Sequence, residues 1–79
     1  MKQIRKKTLP KYFNEVWIGN KNFELRKDED DAQVGDELIL DEYSPAYGYT
    51  GMFVKREITY VLRNVPEYGL MDGYCIIGF

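Results

Sequence analysis

Phe13, Val16 and Trp17 recur at the i, i+3, i+4 spacing that gives a helix one apolar stripe. Pro10 suits the first turn of such a helix because it has no N–H to satisfy, and Gly19 is a natural stop. The pattern therefore predicts a helix over about residues 10–18. From Asn22 to Arg26 the period changes to two, with Phe23 and Leu25 on one face of a strand and Glu24 and Arg26 on the other. The charged run Lys27–Asp31 reads as a solvated loop. Val34-Gly35-Asp36 reads as a turn into a second strand, Glu37–Glu42, centred on Leu38, Ile39 and Leu40.

Ser44–Gly51 carries Pro45, Tyr47, Gly48 and Tyr49 and reads as a long hairpin loop. Met52–Leu62 is then the longest predicted strand. Its even positions are apolar except for Arg56, and its odd positions include Lys55 and Glu57. Pro66–Gly69 is a loop. Tyr74–Phe79 is apolar on both faces, as in a central or well-covered strand. Lys2–Lys7 reads as a basic arm or a short first strand. One helix followed mostly by strands predicts a single domain over 1–79, mainly β (α+β). Its antiparallel sheet would curl into a small barrel closed at one end by the helix.

The chain has 79 residues, of which 44% are hydrophobic, and this composition excludes disorder. A chain this short buries about 60–65% of its unfolded surface, leaving no room for a deep two-substrate active site. Aromatic residues make up 15%, enough both to complete a small core and to supply stacking platforms.

The net charge of −2 conceals a division along the chain. Residues 1–27 carry eight basic and two acidic groups, whereas residues 28–42 carry eight acidic groups and no basic one. Either the two segments neutralise each other in space, or a basic patch remains to meet phosphates.

The sequence contains no histidine and one cysteine, Cys75. This removes Ser-His and Cys-His dyads and any Cys/His zinc site, and no metal or cofactor is expected. Cys75 lies in an apolar run and reads as a buried, inert thiol. A lone cysteine suits a reducing cytoplasm. The basic N-terminus lacks an apolar h-region, no run approaches the length of a membrane helix, and no membrane partner is expected.

Leu9-Pro10-Lys11-Tyr12-Phe13, then Gly19-Asn20-Lys21-Asn22-Phe23-Glu24-Leu25-Arg26-Lys27 and Val34-Gly35-Asp36, carry a family resemblance. Tyr49-Thr50-Gly51, Ile58-Thr59-Tyr60 and the Gly69–Tyr74 stretch continue it. In this order the chain resembles the ASCH (activating signal cointegrator homology) superfamily, most closely a short bacterial and phage family of unknown function. The resemblance implies a PUA-like β-barrel and RNA binding in a cleft between helix and barrel. A few superfamily members hydrolyse an acylated cytidine, using a lysine at the position of Lys21 and a threonine at the position of Glu24. They also use a glutamate from a late helical insertion that this chain is too short to hold. The short family tends to carry a histidine where this chain has Ile4.

These readings converge on a non-catalytic RNA- or nucleotide-binding module at the helix–strand junction. Lys21, Arg26 and Lys27 would contact phosphate, and Glu24 would read a base edge or fix Arg26. Tyr49 and Thr50 would line the cleft. Arg56, alone on an apolar strand face, needs partners there or a ligand. Trp17 is expected in the core, while Tyr47, Tyr49 and Tyr68 are candidate stacking rings. A modified-nucleoside hydrolase using Lys21 and Glu24 is one alternative, and a protein-interaction domain is another. The expected state is a monomer or weak dimer.

Overall fold

Leu9 adopts an extended backbone and hands over to Pro10, and the helix runs until Gly19 turns the chain at φ +87°. A computed structural model describes all residues, 1–79. Its elements are β1 (Gln3–Thr8), α1 (Pro10–Trp17), β2 (Phe23–Lys27), β3 (Glu37–Ser44), β4 (Gly48–Glu57), β5 (Tyr60–Leu62) and β6 (Tyr74–Gly78). A single 3-10 turn covers Pro66–Tyr68. The fold is mainly β with one principal helix, as expected. No helix is long and apolar enough to cross a membrane.

The strands form two three-stranded sheets, ordered β1-β3-β4 and β2-β6-β5. This corrects two expectations. The sheets do not close into one barrel, and pairing is not wholly antiparallel, because β1 runs parallel to β3 from Gln3↔Glu37 to Thr8↔Glu42. A parallel pair needs a long crossover, which α1, β2 and the loop after β2 together supply.

The predicted strand 52–62 is two strands in different sheets. Ile58 donates its N–H to the Asp36 oxygen at 2.9 Å, on the side of the first sheet, and Thr59 donates to the Gly78 oxygen of β6 at 2.9 Å. The chain thus crosses between sheets at this dipeptide, and Ile58 is fully buried at the crossing. The expected long loop after Ser44 shrinks to a turn over residues 45–47. Tyr49, Thr50 and Gly51 instead belong to β4, where the register with β3 shifts between Asp41 and Tyr43. Gly51, at φ +90°, takes the backbone conformation this irregularity needs.

The core lies between the sheets and α1. Ile4, Phe13, Val16, Ala32, Leu38, Leu40, Val54, Ile58, Cys75 and Ile77 form it. β6 is the central strand of its sheet, as its apolar composition predicted, with Cys75 and Ile77 facing inward. Burial raises the Cys75 thiol pKa. Trp17 departs from expectation: half its surface is exposed and its ring touches Phe13 at a centroid distance of 5.8 Å. Phe13 and Val16 already fill the space beneath this eight-residue helix.

Candidate functional site

β1 and β2 are edge strands of different sheets, and the seam between them stays open. The sequence on either side determines what lies there. At the end of α1, the N–H groups of Asn20 and Lys21 both donate to the Glu15 oxygen, at 2.9 and 3.0 Å. This wraps the chain back and places Lys21 beside the first residues of β2. On β2 the usual alternation is inverted. Phe23 and Leu25 are about half exposed, while Glu24, opposite Ile77 of β6, is 4% exposed.

A buried carboxylate needs charged or hydrogen-bonding partners. Glu24 has two cations, one on each oxygen. Lys21 Nζ donates to Oε1 at 2.5 Å, and Arg26 approaches Oε2 with Nε at 3.1 Å and Nη2 at 2.9 Å. Lys21 Nζ also donates to the Phe23 carbonyl oxygen at 2.8 Å and lies 5.0 Å from the Phe23 ring centroid and 5.7 Å from that of Tyr12. Arg26 Nη2 donates across the seam to the Lys7 carbonyl oxygen at 2.8 Å and the Thr8 hydroxyl at 3.1 Å. β1 and β2 are not paired with each other, and a guanidinium bridges them instead.

The space above this trio is a cleft of about 480 Å³, walled by Thr8, Leu9 and Tyr12 on one side and by β2 on the other. Lys21, Glu24 and Arg26, the residues singled out at the helix–strand junction, all line it. Glu24 has both oxygens engaged and so acts as a brace for the two cations. Thr8 and Tyr12 escaped the sequence reading. Thr8 is distinguished only by its position one residue before the helix cap. Tyr12 sits one residue off the apolar stripe, which is the signal that it faces something other than the core.

A second, wider cavity of about 980 Å³ continues along β1 on the far side of Arg26. Lys27 and Tyr49 line it, together with Arg5, Lys6 and Lys7. The opposed charge blocks of the sequence meet here. Arg5 grips Asp41 with Nε at 2.6 Å and Nη2 at 2.9 Å, and Lys6 reaches both Glu29 and Asp30. Hydrogen bonding to Asp30, with Glu29 adding to it, raises the Lys6 pKa. Lys7 and Lys27 enter no ion pair; Lys7 Nζ lies 4.7 Å from the Tyr43 ring centroid. The Tyr43 and Tyr49 rings meet edge to face at 4.9 Å.

The remaining candidates fall outside. Thr50 donates its hydroxyl to Glu42 at 2.7 Å and lines neither cavity. Arg56 does not join the site: Nη2 donates to the Val16 carbonyl oxygen at 3.3 Å and Nη1 to that of Lys55 at 2.9 Å. It satisfies the end of α1 instead, an arrangement that favours a cation near the helix C-terminus. Tyr47 and Tyr68 are almost wholly exposed and line no cavity.

These features define a small mainly-β domain with a polar cleft at the open seam between two sheets. The chain belongs to the family described as Domain of unknown function (DUF3850), whose family model matches residues 5–79. No curated protein matches it.

Proposed function

We propose that this chain is a small, non-catalytic ASCH-like module that binds RNA or a nucleotide in the β1–β2 seam, its two sheets being an opened form of the PUA-like barrel. The observation that carries this reading is the buried Glu24 carboxylate holding Lys21 and Arg26 at the floor of an accessible cleft. Replacing a buried ion cluster by apolar residues is often neutral or stabilising, so stability alone gives little reason to keep one. Fixing two cations in a set orientation does serve recognition of an anion. Arg26 spends Nε and Nη2 within the chain, which leaves Nη1 for a ligand. Lys21 spends two of its three donors, and the cleft trio keeps a net positive charge. Tyr12 and Phe23 flank the cations with faces on which a base can stack.

Fluorescence anisotropy with single-stranded RNA, duplex RNA and matching DNA, at about 50 and 200 mM salt, tests the reading. Mononucleotides enter as competitors and Lys21→Ala as the control. Affinity that weakens with salt and with Lys21→Ala supports it. If neither polymers nor mononucleotides bind, the nucleic-acid reading fails and a protein partner becomes the alternative. Turnover of an acylated nucleoside that is lost in Lys21→Ala would establish the hydrolase instead.

A further inference from the structure

The cleft and the wider cavity share one lining residue, Arg26. From this and the charges around it, the geometry points to a ligand longer than one nucleotide: a single RNA strand lying along the seam, with one base in the cleft and the next beyond Arg26. The inference rests on the proposed nucleic-acid function and deepens it by choosing polymer over mononucleotide.

Three observations carry it. First, the distribution of unspent charge is uneven. Lys21 and Arg26 in the cleft, and Arg5 and Lys6 in the trough, each hold a carboxylate. Lys7 and Lys27 do not, and both line the trough immediately past Arg26. A ligand confined to the cleft would leave these two cations unused, whereas the phosphate that follows a cleft-bound nucleotide would meet them. Second, the rings come in two sets with the cations between. Tyr12 and Phe23 border the cleft, and Tyr49, 62% exposed and steadied by Tyr43, borders the trough. Ring, cation, ring along one groove matches the base, phosphate, base repeat of a strand. Third, a base reaches a ring face only when it is unstacked, which selects a single strand over a duplex.

The same walls limit the length of the footprint. Glu42, whose protein partner is the Thr50 hydroxyl, lines the trough and opposes a further phosphate.

The test compares nucleoside 5′-monophosphates with single-stranded RNA of about four and eight nucleotides, in the wild-type chain and in Lys7→Gln/Lys27→Gln. Both side chains are exposed, and circular dichroism checks that the double variant folds. In the wild type, affinity rises at least about tenfold from monophosphate to the shorter RNA and then levels off. In the double variant most of that gain disappears and the salt slope falls by about one. A monophosphate that binds as tightly as the RNA overturns the inference while leaving the binding module intact. So does an undiminished length gain in the double variant. Absence of binding to any of these probes overturns both.

Discussion

The Arg26 guanidinium, rooted on β2, donates to the Lys7 carbonyl oxygen on β1 at 2.8 Å, so two strands of different sheets are tied by a side chain. The same group braces Glu24 and touches Thr8. Arg26 therefore couples the stability of the seam to the shape of the cleft.

Arg26→Ala removes that tie and leaves Glu24 buried with Lys21 alone. The expected loss is about 2–3 kcal/mol, in the range for hydrogen bonds to charged groups and below that for a carboxylate left with no partner. Urea unfolding measures it. Arg26→Lys keeps the charge but cannot span Glu24, Lys7 and Thr8 together, so it recovers less than half of the loss. Full recovery by lysine would show that charge alone matters at this position.

Glu24→Gln separates orientation from charge. The change makes the cleft more positive, which by itself would tighten anion binding. An amide, however, presents a donor to one of the two cations now held by carboxylate oxygens, so Lys21 or Arg26 is released. RNA affinity is expected to fall despite the added charge. Tighter binding in an anisotropy titration would refute the bracing role.

Asp36 sets the acid limit of the first sheet. It accepts the Lys2 backbone N–H at 2.9 Å, Lys2 Nζ at 2.9 Å and the Gln33 N–H at 3.0 Å. The Lys2 bonds lead in lowering its pKa to about 2, against the opposing effect of burial. A carboxyl group with a depressed folded-state pKa stabilises the fold above its unfolded value, near 3.9, and loses that contribution as pH falls toward the folded value. Unfolding midpoints should therefore drop between about pH 4 and pH 2. In Asp36→Asn the midpoint should start lower, and its fall over the same interval should be shallower. Equal slopes for the two chains would remove Asp36 from the account.

Ile58 is fully buried where the chain leaves one sheet for the other. Ile58→Val should cost about 0.5–1.5 kcal/mol and Ile58→Ala about 2–5 kcal/mol. Because the residue packs where the sheets meet, both sheets should unfold in one transition in each variant. Circular dichroism and intrinsic fluorescence, followed together, should have coincident midpoints.

Local pattern made much of this legible. The stripe of α1, its glycine stop, β2, and the central position of β6 all follow from spacing within a few residues. The cleft trio was legible for the same reason: Lys21, Glu24 and Arg26 lie close in sequence, and a helix end followed by a strand brings them together. What escaped depends on distant partners. Period-two alternation continues through Ile58 and Thr59, so it carries no mark of a change of sheet. Nor does a basic strand such as β1 reveal that its neighbour runs parallel. Arg56 is an exception of another kind: the apolar face signalled a partner, and that partner proved to be the end of α1, away from the cleft.

The pairing of β2 with β6 sets a timetable. Phe23 faces Gly78 and Lys27 faces Tyr74, and β6 is the sole sheet neighbour of β2. As the chain is synthesised, β1, α1 and β2 emerge well before β6, yet β2 has nothing to pair with until β6 follows. Closing so long a loop delays non-local pairing. Lys21, Glu24 and Arg26 are thus made well before they are set in place, and a chain interrupted before Tyr74 carries all three without the cleft.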